Sequence, residues 1–432
     1  MLKMSDIRVK HNDLIGEKYY YTKHKSGLDI YLVPKKLSTS YAVLGTHYGS
    51  VDNRFKKKSD PDFTVVPDGI AHFLEHKMFE NEDGVDTFER FAALGAQANA
   101  YTSFDMTAYL FSCTNNFKES LEVLLDYVTH PYFTEQTVEK EQGIIAQEIR
   151  MGEDNPGRAL LFGMLKSLYH KHNVRIEIAG TVESISKITA PLLYSSYNTF
   201  YNLNNMALCV SGDVEMDTVI SVADKVLEVA EHFEIESVAE TEPEEVVSSF
   251  FTRKMQVSKP IFAIGVKNID ISDNPGMRMK ESAAISVMSD ILFGKSSEFY
   301  NKLYEDGLIT GDLDIWDEHN HSYSFVCLSG ESNDPSAVYE RFAEYVEKIR
   351  CDGIDEEEFV RCKRIMYSSF VRSFDSTDEI ANNFLSYVFD GGDMLDYSEV
   401  VASLDIDFVN EMFCKIFKKP HYNLTTITPL ED

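Results

Sequence analysis

Two histidines and a glutamate packed into His72-Phe73-Leu74-Glu75-His76 are the residues of this chain whose types and spacing could do chemistry. On a helix, positions four apart share a face about 6 Å apart along the axis, so the imidazoles of His72 and His76 can converge on one cation. Glu75 then turns toward the same opening without being obliged to bind the metal. The order H-x-x-E-H is the reverse of the commoner H-E-x-x-H zinc motif. Zinc held by three protein ligands keeps a fourth position for water and lowers its pKa to about 7, and Glu75 is placed to take that proton and return it to a leaving amine. The competing reading is two core histidines that meet by chance; a random match anywhere in a chain with 12 histidines has an expectation of only about 0.03.

Spacing alone does not choose a third ligand, because the chain offers 71 acidic residues. Periodicity narrows the field to Glu141 and Glu148, which are seven residues apart and share a helical stripe with Ile144 and Ile145. A carboxylate on an apolar stripe costs several kcal/mol unless it is paired or bound to metal. Zinc would satisfy one of the two and a histidine N–H the other. A half-exposed helix with salt-bridged glutamates is the alternative.

The elements that must position these groups follow from hydrophobic periodicity. Strand-like runs cover Tyr19 to Thr22, Leu28 to Val33 and Tyr41 to Tyr48, and helical periodicity follows over Gly69 to Phe79 and Asp86 to Leu94, with Gly95 as a C-terminal cap. Strands fit Gln97 to Thr102 and Thr107 to Ser112; helices fit Lys118 to Val128, Thr137 to Met151 and Ala159 to Tyr169; a strand at Met206 to Val210 leads into a helix near Thr218 to Val229. Residues 231–249 turn acidic and lose periodicity, as a solvated connection between domains would. The layout predicted is an N-terminal zinc-bearing domain over 1–230, an acidic linker over 231–249 and a C-terminal domain over 250–432. In the second half, strands near Phe250 to Gln256 and Phe262 to Val266 precede a long helix from Glu281 to Leu303. Tyr201-Asn202-Leu203 and Tyr422-Asn423-Leu424 each introduce a strand after a helix, an internal echo of duplication. Strands and helices that cluster rather than alternate favour an α+β fold.

Composition excludes several classes. The 432 residues suffice for two cores, and the formal charge of −30 repels phosphate backbones and anionic surfaces, so no nucleic acid or membrane partner is expected. The same surplus keeps a protein in solution, or makes an acidic chamber that favours basic peptides. No stretch approaches the ~18 apolar residues that span a bilayer, and six scattered cysteines without C-x-x-C spacing read as reduced thiols; a cytoplasmic location is expected.

With these residues in view, the chain resembles the pitrilysin and insulinase family of zinc peptidases, the inverzincins, which include the mitochondrial processing peptidases. Three blocks carry the match: Gly69 through His76, Asn99-Ala100-Tyr101-Thr102-Ser103, and Glu141 through Glu148. Gly180-Thr181-Val182 and Val210-Ser211-Gly212-Asp213 extend it along the chain. The resemblance implies two homologous α+β domains, each a mostly antiparallel sheet packed with helices, and one Zn2+ per chain. It implies Glu148 as third zinc ligand, Glu141 as a supporting acid beside the metal, and Asn99 and Ala100 on an edge strand that binds a peptide backbone as an added strand. An ordinary turn entering a strand is the plain alternative for Asn99 and Ala100.

The match is nearest to bacterial members that work in pairs. Family members that complete their own chamber carry an Arg and, seven residues later, a Tyr in the second half; here the matching positions hold Tyr304 and Gly311. The expectation is therefore an endopeptidase for peptides or small unfolded polypeptides, with a related partner subunit (a heterodimer) supplying those groups, or else a homodimer. A non-catalytic structural or peptide-binding subunit, and a zinc hydrolase of non-peptide substrates, are the rival expectations.

Overall fold

The computed structural model describes residues 7–237 and 241–430, and the protein mixes helices and sheets in two compact units. The first unit takes the described residues within Met1–Ile149, Glu177–Val238 and Val371–Asp396; the second takes those within Arg150–Ile176, Ala239–Phe370 and Tyr397–Asp432. Each unit therefore includes a segment from the sequence half that supplies most of the other.

In the first unit, β1 (Arg8–Asn12), β2 (Glu17–Lys23), β3 (Asp29–Pro34), β4 (Ser40–Thr46), β7 (Gln97–Thr102), β8 (Thr107–Cys113) and β9 (Met206–Gly212) form one sheet, in the order β1-β2-β3-β9-β4-β8-β7. Only the β3–β9 pairing is parallel. The central strand β9 is buried at every position, which its unbroken run of apolar and small residues permits when both faces are covered. One cover is the helix Thr377–Phe389 from the second half of the sequence: Phe384 packs its ring on Tyr19 and Tyr31 at 4.9 and 5.0 Å, and a Cβ on Gly45 would fall 2.6 Å from Leu385. Its trailing loop is tied down by Tyr19 Oη donating to Asp393 at 2.6 Å.

A smaller sheet joins β5 (Arg54–Lys57), β6 (Thr64–Val65) and β10 (Ile235–Ser237) in the order β10-β5-β6. Thus the acidic connection contributes a strand. Its residues 238–240, Glu240 included, lie outside the described residues, and residues 242–245, with Glu244 and Glu245 exposed, are also anchored through their backbone and through Glu242. Buried Lys267 donates to the carbonyl oxygens of Pro243 and Glu245 at 2.8 and 2.6 Å, and Glu242 accepts from the backbone of His170, Lys171 and His172.

The second unit's sheet runs β11-β15-β12-β14-β13, from β11 (Phe250–Met255), β12 (Ile261–Asn268), β13 (Asp314–His319), β14 (Ser324–Glu331) and β15 (Tyr422–Pro429), parallel only at β11–β15. The helix Pro156–Leu168, from the first half, packs on it: Cβ atoms on Gly163 and Gly265 would collide with Phe251 and with Met164, respectively. The single long helix expected over Glu281 to Leu303 is two, Pro275–Phe293 and Glu298–Glu305, because Gly294 ends the first and the Ser297 side chain caps the second. Among the described residues no helix is long and apolar enough to cross a membrane, and all six cysteines are free thiols.

Candidate metal centre

Helix α1 (Ile70–Lys77) carries the two histidines, and its start is fixed by two glycines set back to back. Gly69 caps the helix at φ 91°, where a Cβ would lie 2.4 Å from the Ala179 carbonyl oxygen; Gly180, at φ 72°, would put one 2.4 Å from the Asp68 carbonyl oxygen. Both conformations favour glycine, and neither site has room for a side chain. Ser184 Oγ donates to that Asp68 carbonyl at 2.7 Å and Asn53 Nδ2 to the Asp68 carboxylate at 2.6 Å. Ile70, Ala71, Phe73 and Leu74 sink into the core, which leaves His72, Glu75 and His76 half-buried on the opposite face.

Facing them runs the 19-residue helix Glu135–Glu153, with Glu141 buried and Glu148 half-buried. Of the two isoleucines on the expected stripe, Ile145 is in the core but Ile144 is 46% exposed, so the buried face is narrower than periodicity alone suggests. His72 Nε2 lies 3.6 Å from Glu148 Oε1, and His76 Nε2 lies 3.5 Å from Glu148 Oε2. One ligand atom from each of His72, His76 and Glu148 lies within 4.8 Å of the others, the one such group found among the described residues.

The spacing suits a tetrahedral cation: metal–ligand bonds of about 2.0–2.1 Å place neighbouring donors about 3.4 Å apart. Two imidazoles and a carboxylate are also a donor set of the kind that zinc takes. Glu141 Oε1 sits 2.9 Å from His76 Nδ1, which holds that ring with Nε2 toward Glu148. The structure thus brings His72, His76, Glu141 and Glu148 together.

Burial alone would lower the His76 imidazole, but the Glu141 hydrogen bond and the charges of Glu141, Glu75 and Glu148 outweigh it and raise its pKa. Three carboxylates around two imidazoles are a charge arrangement that a divalent cation relieves. Burial likewise raises the Glu75 carboxyl above its ordinary value, with Glu148 adding to the rise, while a hydrogen bond from Thr102 and the nearby His76 partly offset it. That hydrogen bond, Thr102 Oγ1 to Glu75 Oε2 at 2.7 Å, escaped the sequence reading. The residue sat inside the Asn99-to-Ser103 block, but only strand pairing reveals which way its side chain turns.

Strand β7 pairs with β8 and forms one edge of the seven-stranded sheet. Asn99 is exposed there, and its Oδ1 accepts from the Ala100 N–H at 2.9 Å. Between this strand, Glu75 and His76 opens a cavity of about 700 Å³. Its apolar wall includes Phe79 and Phe88, stacked at 4.4 Å, and Glu80, Glu82 and Asp86 are among its acidic lining. In the second unit Tyr304 is 57% exposed on the helix Glu298–Glu305.

Similarity to known proteins extends over most of the chain. Residues 66–182 match the family model described as Insulinase (Peptidase family M16), and 187–366 match the one described as Peptidase M16 inactive domain. The chain is 40% identical to the uncharacterized zinc protease YmfH of Bacillus subtilis over 92% of its own length and 94% of that protein's. A crystal structure of an M16-like peptidase from Alicyclobacillus acidocaldarius superposes with TM-score 0.92 at 32% identity, covering 96% of this chain and 99% of that one. Pitrilysin shares the fold at 16% identity and TM-score 0.74, with 99% of this chain matched to 47% of the pitrilysin chain.

Proposed function

The chain belongs to the insulinase family of peptidases, M16, and on that premise we propose that it is a zinc-dependent endopeptidase acting on peptides or small unfolded polypeptides. The observation that carries this reading is the convergence of His72, His76 and Glu148 with Glu75 beside them. His72 Nε2, His76 Nε2 and a Glu148 carboxylate oxygen would hold the zinc, with Glu141 orienting His76. Zinc in such a site supplies a Lewis acid that polarises a peptide carbonyl and makes a water molecule more acidic.

The chain's own residues do the rest. Glu75, half-buried beside the donor set and held by the Thr102 hydroxyl, takes the proton of the attacking water and delivers it to the amine that leaves. The edge of β7 at Asn99 and Ala100 receives the substrate backbone as a further strand, which fixes the scissile carbonyl without reading most side chains. The adjoining cavity, with Phe79 and Phe88 on its wall and with Glu80, Glu82 and Asp86 outnumbering Lys140 in its lining, suits a substrate side chain with an apolar stem and a positive end.

A related second subunit completes the chamber. This reading is supported by the resemblance to the family, which sets Tyr304 and Gly311 where self-sufficient members hold Arg and Tyr. Free thiols at all six cysteines fit a reducing compartment such as the cytoplasm. The complete donor set speaks against a purely structural subunit, for which a costly cluster of carboxylates has no use.

Metal analysis together with hydrolysis of a quenched-fluorescence peptide library, with and without a chelator, tests the proposal. Expected are about one zinc per chain, chelator-sensitive cleavage, loss of metal in His72→Ala and His76→Ala, and retained metal with turnover lower by several orders of magnitude in Glu75→Gln. Undiminished hydrolysis by Glu75→Gln would refute it.

A further inference from the structure

Thr102 is the last residue of β7 and faces Thr107 directly across the ladder to β8. Its hydroxyl lies 2.7 Å from Glu75 Oε2 and 3.5 Å from Thr107 Oγ1. Each hydroxyl has a single proton to give. That of Thr107 goes to the carbonyl oxygen of Tyr48 at 2.9 Å, and an ionised carboxylate can only accept. The Thr102 proton therefore points at Glu75.

The strand that aims it is itself braced. Tyr101 Oη donates to Asn382 Oδ1 at 3.2 Å, and Asn382 Nδ2 donates to Tyr41 Oη at 3.0 Å, so the helix Thr377–Phe389 pins the residue before Thr102 to the sheet. Glu75 sits on α1 and Thr102 on an edge strand, and the 2.7 Å bond is a direct tie between the two.

We propose that Thr102 is a positioning residue for the general base, an inference that rests on the peptidase reading above. Its hydrogen bond occupies Oε2 and leaves Oε1 to take the proton from water. When Oε1 is protonated, Oε2 becomes the carbonyl oxygen of a carboxylic acid and still accepts from Thr102. The same bond thus holds the carboxyl in one orientation through both halves of the proton's path, from water to Oε1 and from Oε1 to the leaving amine.

The test uses the full chain in its active assembly, assayed on a quenched-fluorescence peptide. Thr102→Ala and Thr102→Val should lower kcat about 10- to 100-fold, as loss of a hydrogen bond that orients a site residue does. KM should stay within about twofold, because the effect falls on the chemical step. Zinc content should stay at that of the wild type, and Thr102→Ser, which restores the hydroxyl, should recover most of kcat. An unchanged kcat in the two variants overturns the inference, as does a fall in zinc content or a failure of Thr102→Ser to rescue, either of which would mark Thr102 as structural. A wild type that cleaves without zinc, or not at all, removes the peptidase reading itself and this inference with it.

Discussion

His76 Nδ1 and Glu141 Oε1 lie 2.9 Å apart, a contact that joins α1 to the helix Glu135–Glu153 and decides which nitrogen of the ring faces Glu148. Glu141 is buried at that contact. Replacing it by Ala frees the ring to turn. Glu141→Ala should bind zinc about 10- to 100-fold more weakly, read by titration against a competing chelator. Unaltered affinity would mean that the ring is oriented by something else.

Gly180→Ala tests how the start of α1 is set. At φ 72°, with the Asp68 carbonyl oxygen 2.4 Å from the new Cβ, the substitution must both strain the backbone and push on the residue before Gly69. It should destabilise the fold by about 1–3 kcal/mol in urea unfolding and weaken zinc binding as well. A stable variant with normal metal affinity would show that the turn can yield without moving the helix.

How much of this was legible beforehand depended on whether the cause was local. His72, Glu75 and His76 announce themselves because one turn of helix brings them together. Glu148 and Glu141 were narrowed by periodicity and given separate roles only by resemblance, and Thr102 was missed because its contact with Glu75 joins a helix to a strand 27 residues further on, a tertiary contact that no local pattern marks. Most strands of the first half were readable from their apolar runs; β1, with Arg8 and Lys10 among its five residues, was not, since an edge strand need bury little. Nor could composition show that Lys267, 24 residues beyond Pro243, would hold that part of the acidic connection in place.

Stability at low pH should depend on His172. Burial pushes its imidazole down to about 4, and its Nδ1 accepts from the Val174 N–H at 3.1 Å, a bond only the neutral ring can make. Well above pH 6.5 the ring is neutral both folded and unfolded and contributes no pH dependence. As pH falls from about 6.5 to 4, the unfolded chain takes up a proton that the folded one refuses, so about 3 kcal/mol of stability is lost. His172→Gln, which keeps an acceptor, should flatten that part of the urea-unfolding profile. An identical slope in both proteins would refute the assignment.

The need for a partner can be measured directly. The purified chain alone should cleave peptides weakly, and addition of a related subunit carrying the Arg and Tyr should raise turnover while a larger species appears in size-exclusion chromatography. Full activity from a proven monomer would exclude the partner.

The trade of helices between units bears on how the protein is made. Pro156–Leu168 leaves the ribosome long before β15, the strand at Tyr422–Pro429 that it packs against, and the sheet beside the metal ligands waits for Thr377–Phe389. At about 5–20 residues per second, tens of seconds separate these partners. Both apolar surfaces stay open meanwhile, so nascent chains should need shielding by chaperones, and the cluster around His72 should mature only when translation is almost over.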